Sequence, residues 1–239
     1  QQPLLNRRMP VPRGKVVGGS SSINGMVYVR GNRANYDSWA AEGNVGWDAD
    51  SVNAAYRRME DFEDGANDYR GAGGPIKITR NKTPQEGTLH FIQATADTLG
   101  VKILDDYNAA EQECIARMQQ NAAGGLRYSA SRGYLHDQHL PTLDLQTRVL
   151  ARRVVVERGR AVGGEVQHKD GRARVVRASR EVVLSAGFVG SAQLLMLSGV
   201  GHADHLRPHG LPVVADLPVG DNLHDHLFHA LTFHATSST

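Results

Sequence analysis

Three groups of residues in this chain have types and spacings that could do chemistry. The first is Gly14-Lys15-Val16-Val17-Gly18-Gly19-Ser20-Ser21-Ser22-Ile23-Asn24-Gly25-Met26-Val27-Tyr28-Val29-Arg30-Gly31. Adjacent glycines allow positive φ and leave no Cβ in the way of a bound group. The serines, with a helix start behind them, offer a row of N–H groups that suits a pyrophosphate or an electron-rich ring edge. On the residues alone the stretch reads about as well as a tight turn and helix cap that binds nothing. The second group is drawn from eleven histidines. His202, His205 and His209 have helical spacing, and His224-Asp225-His226 lies close to His229. Imidazoles so spaced can bind zinc, but surface and hydrogen-bonded histidines are far commoner, so no metal site is expected. The third is Cys114, the only cysteine. It can form no internal disulfide and has no evident activating neighbour, and no Ser-His-Asp spacing stands out.

Composition excludes several classes of function. With 239 residues, 40% of them hydrophobic and 22% charged, the chain can build one large or two small cores without disulfides. Its net charge is +2 and its arginines are scattered, which argues against a nucleic-acid footprint. Apolar runs such as residues 193–197 are far too short to span a bilayer, and no signal peptide is visible. The single cysteine suits a reducing compartment, so a cytoplasmic location is expected.

The elements that must position these residues follow from pattern. Residues 10–19 read as a loop, and Ser20-Ser21-Ser22 as the cap of a helix beginning near Ile23. Asp50 or Ser51 caps a second helix to about Glu60, with Val52, Tyr56 and Met59 on one face. Residues 64–75 are rich in turns. Leu89, Ile92, Ala96 and Leu99 mark an amphipathic helix over residues 85–99, stopped by Gly100. Beyond Pro141, residues 143–149, 154–157, 161–167, 174–178 and 181–184 read as short strands, with a hairpin turn at Lys169-Asp170-Gly171-Arg172. Ser185-Ala186-Gly187 breaks the last strand, and residues 191–197 read as a helix. The expected class is α/β (α+β), with a more helical insertion over about residues 36–120.

The glycine-serine stretch resembles the first signature of the glucose–methanol–choline (GMC) oxidoreductases, in its choline-dehydrogenase-like branch. Gly14, Lys15, Gly18, Gly19, Ser20, Ser21, Ile23, Asn24, Tyr28, Gly31 and Asp37 fit that pattern. The second signature resembles Gly187-Phe188-Val189-Gly190-Ser191-Ala192-Gln193-Leu194-Leu195-Met196-Leu197-Ser198-Gly199-Val200-Gly201, with departures at Phe188 and Ala192. Asp68-Tyr69-Arg70-Gly71, Asp106-Tyr107-Asn108, Arg127-Tyr128-Ser129-Ala130 and Gly220-Asp221-Asn222-Leu223-His224-Asp225-His226 agree with the same family.

The resemblance implies an incomplete FAD-binding domain with part of a substrate or cap domain. Residues 1–35 and 121–215 would be FAD-binding segments, 36–120 the cap, and 216–239 the start of the substrate domain. The cofactor contacts it implies are Val16, Val17, Gly18, Gly19, Ser20, Asn24, Gly25, Met26, Val27, Ala151, Ala186 and Gly187. Some relatives attach FAD through a histidine of this loop; the matching position here is Ile23, so non-covalent FAD is expected. The implied reaction is oxidation of a small-molecule alcohol to the carbonyl by hydride transfer to flavin.

A dinucleotide fold also needs Gly-x-Gly-x-x-Gly between a first strand and helix. None is present; Gly199-Val200-Gly201 follows a helix and has Asp204 where a third glycine would stand. By the resemblance, that motif and the catalytic histidine both lie outside residues 1–239. The opening Gln1-Gln2-Pro3 and the closing Ala235-Thr236-Ser237-Ser238-Thr239 read as cut points. No catalytic residue is therefore expected in this chain and no turnover from it alone, with the remaining parts on other chains or outside this sequence. A flavin-containing hydroxynitrile lyase and a non-catalytic remnant or partner subunit are the alternative readings.

Overall fold

In a computed structural model the structure describes residues 10–136 and 138–225. The expectations that fall on Gln1-Gln2-Pro3, His226, His229 and residues 235–239 lie outside the described residues. The chain divides into two units, with the break between Leu143 and Asp144.

The first unit opens with a loop and then α1 (Arg33–Ala41) and α2 (Ala49–Met59). The Asn32 side chain accepts the Ala34 N–H at 2.9 Å, and Asp48 accepts the Ser51 N–H at 2.9 Å. The cap of α2 is thus Asp48 rather than Asp50 or Ser51. Asp50 instead sits in the first turn, where its charge complements the helix dipole. Strand β1 (Glu60–Phe62) pairs in parallel with β2 (Ile76–Arg80), which pairs antiparallel with β5 (Gln119–Gln120). Helix α3 (Glu86–Leu99) packs on the parallel pair β3 (Lys102–Ile103) and β4 (Cys114–Ile115). It ends at Gly100 in the left-handed region as the pattern requires, but only Ile92 and Ala96 of its expected apolar face are buried; Leu89 and Leu99 are exposed. Strands β6 (Ala122–Ala123) and β7 (Leu126–Arg127) form a tight hairpin through Gly124 and Gly125, both with positive φ.

The apolar core of this unit is small: Tyr28, Phe62, Ile76 and Ile78, with Tyr56 and Met59 of α2 against it. Alternation along β1 puts Glu60 on the same inward side as Phe62, and Glu60 is fully buried. A buried carboxylate must find partners. It takes Arg30 Nη2 at 2.6 Å, Arg70 Nε at 3.0 Å and the Gly71 N–H at 2.7 Å on one oxygen, and Arg70 Nη2 at 3.1 Å on the other. Arg70 Nη1 continues to Asp106 at 2.9 Å and to Gln119 at 2.8 Å. Asn108 closes the ring by donating to Gln119 Oε1 and accepting the Arg30 N–H at 2.7 Å. Burial works against the charge on Arg70, but the Glu60 carboxylate more than offsets this and holds the guanidinium above its ordinary value. The Arg70 guanidinium also lies 3.7 Å from the centre of the Phe62 ring, joining the ionic and apolar parts of the core. Gly71 is required here because a Cβ would sit 1.8 Å from the Arg57 carbonyl oxygen.

The second unit is an antiparallel meander of β8 (Val149–Glu157), β9 (Arg160–His168) and β10 (Ala173–Arg177), with α4 (Gly187–Leu197) packed on β8. The turn at residues 169–172 joins β9 to β10 as its residue types predict. Residues 143–148 and 181–184 are not strands, and the expected break at residues 150–153 lies inside β8, which runs unbroken from Val149 to Glu157. Residue types alone suggested the two missing strands, but a strand also needs a neighbour for its N–H and C=O groups. Helix α4 starts at Gly187, not Ser191; the Ser191 hydroxyl accepts the Ala186 N–H just before the first turn. Ser198, just past α4, accepts the buried Val154 N–H at 2.7 Å and fastens the helix to β8. The short α5 (Ala203–Leu206) buries Ala203 and Leu206. Among the described residues no helix is long and apolar enough to cross a membrane.

Breaking one member of the buried ion network leaves unpaired charge in a dry interior. Glu60→Gln should destabilise the first unit by about 3–5 kcal/mol, read from urea unfolding of the full-length protein. A variant as stable as the parent would show that the network contributes nothing net.

Candidate functional site

The glycine-serine stretch folds as one turn. Gly18 (φ 92°) and Gly19 (φ 54°) lead into a 3-10 turn over Gly19–Ser22, and the Gly19 N–H donates to Val16 O at 2.9 Å. The serines do not cap a helix at Ile23. The hydroxyls of Ser21 and Ser22 reach back instead, to Gly18 O at 2.5 Å and Val17 O at 3.1 Å, and the chain then bends away. Side-chain hydroxyls bonded to local carbonyls offer the backbone an alternative to helix, and here that alternative wins. A Cβ on Gly18 would sit 2.7 Å from Ser22 Oγ and 3.0 Å from Ser131 Cβ, so the protein itself requires that glycine. At Gly19 and Gly25 the same test meets nothing within 4 Å, which leaves the backbone bare toward open space.

Further along, Met26 is a non-glycine residue in the left-handed region, at φ 62°. That conformation costs about 1–2 kcal/mol, so it must be held. Asn24 Oδ1 accepts the Met26 N–H at 3.2 Å, and Met26 O accepts the Asn121 N–H at 3.0 Å. Val27 bridges to Gln120, and the Tyr28 N–H donates to Gln119 O at 2.9 Å. The extended run that follows alternates. Val27 and Val29 are exposed, whereas Tyr28 and Arg30 are buried, the latter in the ion network. Behind the turn, Arg127 Nη1 donates to Asn24 Oδ1 at 2.6 Å and to Ser21 O at 3.2 Å, and the Ala130 N–H donates to Ser21 Oγ at 3.0 Å. Sequence reasoning named residues 127–130 only for their likeness to a family pattern. Their contact with the turn spans more than 100 positions, so no local pattern announces it.

Thus Val16, Val17, Gly18, Gly19, Ser20, Asn24, Gly25, Met26 and Val27 form one contiguous surface of the first unit, with Val16, Val17, Ser20, Asn24, Gly25 and Val27 exposed. Ala151, Ala186 and Gly187 belong to the second unit. Ala151 is exposed on β8 at a register shift, and Ala186 and Gly187 stand at the start of α4.

The histidines resolve differently from their spacing. His202 precedes α5, and its Nε2 lies 2.7 Å from Asp221 Oδ2, in the Gly220-Asp221-Asn222 turn. The hydrogen bond to Asp221, and then its charge, push the imidazole above its ordinary value. His205 and His209 instead meet edge to face, with ring centres 5.1 Å apart. Among the described residues no three His, Cys, Asp or Glu side chains are grouped to hold a metal ion. Burial, then the charges of Glu111 and Asp106, push the Cys114 thiol up, the opposite of activation.

Comparison with known proteins decides the lineage. The family model described as GMC oxidoreductase matches residues 4–228. The chain belongs to the GMC oxidoreductase family. An oxygen-dependent choline dehydrogenase of Sinorhizobium medicae is 45% identical over 226 residues, which are 94% of this chain and 41% of that relative. The crystal structure of pyridoxine 4-oxidase from Mesorbium loti superposes with a TM-score of 0.80 at 29% identity, over 86% of this chain and 41% of that one. An FAD-dependent oxidoreductase from Chaetomium thermophilum gives 0.80 at 28% identity, over 90% and 40%. The chain therefore spans about two fifths of the length of these GMC relatives.

Two outcomes follow from this geometry. Gly18→Ala in the full-length protein should lower stability by at least about 1–2 kcal/mol, the cost of a left-handed side-chain residue before any clash is counted; an unchanged urea midpoint would refute the required turn. The His202–Asp221 pair should be pH dependent. Because the folded-state value of His202 is raised, its contribution is fully present below about pH 6.5, the unfolded value, and is lost as pH rises through the folded value. The stability gap between the parent and Asp221→Asn should close over that upper range, and NMR titration should show His202 falling in the variant. A titration that Asp221→Asn leaves unmoved would exclude the pair.

Proposed function

We propose that the chain is part of an FAD-dependent enzyme that oxidises a small-molecule alcohol to the carbonyl, with FAD held non-covalently. The observation that carries this reading is the turn at residues 16–27. It presents bare glycine backbone at Gly19 and Gly25 beside exposed valine side chains, and is fastened from behind by Asn121, Arg127 and Ala130. Open backbone suits close approach of a pyrophosphate or a ring edge, and apolar valine side chains suit contact with a ring face. The residues present therefore fit the cofactor. Val16, Val17, Gly18, Gly19, Ser20, Asn24, Gly25, Met26 and Val27 would hold it, and the family pattern puts forward Ala151, Ala186 and Gly187 as further contacts. Ile23, half exposed on this loop, has a saturated side chain that can form no bond to flavin.

When bound, FAD supplies the acceptor for a hydride leaving the alcohol carbon. The residues of this chain would bind and orient that cofactor; the acceptor of the alcohol's hydroxyl proton is assigned to none of them. In this reading residues 1–35 and 121–215 are FAD-binding segments, 36–120 the cap and 216–239 the start of the substrate domain.

Purified full-length protein should be yellow, should lose that colour on anaerobic addition of its alcohol, and should release all its flavin on denaturation. Colour that stays with the denatured polypeptide would overturn non-covalent binding. Cyanide release from a cyanohydrin without bleaching would replace the oxidoreductase with a lyase. Residues 1–239 alone should not reduce a dye with alcohol.

A further inference from the structure

Several arginines of the first unit are paired with carboxylates. Arg30 and Arg70 share Glu60, Arg33 pairs with Asp50 and Arg80 with Asp64. Arg127 differs. It is half-buried on β7, and its Nη1 is committed to two uncharged oxygens, Asn24 Oδ1 at 2.6 Å and Ser21 O at 3.2 Å. Among the described residues no carboxylate pairs with it. Both acceptors lie in the turn over residues 16–27, and Asn24 uses the same Oδ1 to hold the left-handed Met26. The guanidinium is therefore the hub of a two-step relay of position, from Arg127 to Asn24 to the Met26 backbone. It also brings a full positive charge to that turn without a counter-charge among the described residues.

The location of Arg127 is built rather than incidental. The two-glycine turn at Gly124 and Gly125 makes β6–β7 tight enough to return the chain at once. Asn121 on one side of the hairpin and Tyr128 on the other exchange bonds, Tyr128 N–H to Asn121 O at 2.8 Å and Asn121 Nδ2 to Tyr128 O at 3.1 Å. Asn121 also donates to Met26 O, so hairpin and turn are locked in one register. A planar guanidinium held this way does not need to reorganise when negative charge arrives nearby.

We propose that Arg127 is a positioning residue of the flavin site, and that its unneutralised charge also raises the flavin's reduction potential by favouring the negative charge that arrives with a hydride. The inference rests on the FAD reading above. It assigns two separable effects: the hydrogen bonds shape the turn that receives the cofactor, and the charge favours the reduced cofactor. The first should appear in affinity and the second in potential.

The test uses full-length holoprotein and four variants: Arg127→Met, Arg127→Lys, Asn24→Ala and the Arg127→Met, Asn24→Ala double variant. Arg127→Met should weaken FAD binding roughly tenfold or more, the loss that goes with one charged hydrogen bond, and should lower the flavin midpoint potential. Arg127→Lys, which keeps the charge, should stay near the parent in potential. Arg127→Met combined with Asn24→Ala should bind FAD no more weakly than the poorer single variant, since both remove the same link. If Arg127→Met folds too poorly to purify, Arg127→Lys and Asn24→Ala still report. Equal potentials in the parent and Arg127→Met, or a potential in Arg127→Lys as low as that expected of Arg127→Met, would overturn the electrostatic role. Additive affinity losses would overturn the positioning role. A parent that holds no flavin would overturn both this inference and the reading beneath it.

Discussion

The first unit depends on one buried carboxylate. Glu60 occupies a strand position that alternation assigns to the core, beside an apolar cluster of only four buried side chains. Its two arginines come from sequence stretches that flank opposite sides of the fold: Arg30 from the run after the glycine-serine turn, Arg70 from the loop between β1 and β2. Asp106 balances the second positive charge, and Gln119 and Asn108 absorb the remaining hydrogen-bonding capacity. Ion pairs of this kind contribute little net stability compared with well-packed apolar side chains. What this one contributes is a fixed meeting point that ties the Arg30 run and the loops carrying Arg70, Asp106 and Asn108 to the sheet strands that carry Glu60 and Gln119.

That meeting point matters for the site because Arg30 ends the run that begins at the glycines. With Arg30 anchored and Tyr28 pinned to Gln119, the residues before them can hold a costly left-handed Met26 and a bare turn without collapsing into the open space beside them. Such strained backbone persists only where its surroundings over-determine it. Here they do so from one side only, by Asn121, Arg127, Ala130 and Ser131. On the other side Gly19 and Gly25 face open space, the surface proposed above for the cofactor.

Much of this was legible in the sequence, for specific reasons. The helix ending at Gly100 and the turn at Gly171 were readable because each depends on local residue types. The glycine-serine turn was readable as a turn, and its family likeness proved sound. The supposed helix after it was not, because Ser21 and Ser22 could bond forward as caps or backward to carbonyls, and only tertiary contact decides. Stretches 143–148 and 181–184 were misread as strands because pairing partners are not encoded locally. The ion network and the Arg127 bond were invisible for the same reason at longer range: Glu60 looked like an ordinary helix-end acid, and Arg127 stood out only by family likeness, with nothing local to name its partners.

The alternation from Val27 to Arg30 has a consequence for inheritance. One short extended run serves two environments, since its odd residues face outward beside the proposed cofactor surface and its even residues face the ionic core. A substitution at 27 or 29 changes what the protein meets, while one at 28 or 30 changes whether it holds together. Variation along the run should therefore follow two different constraints, set at the odd sites by what the surface meets and at the even sites by the core they fill.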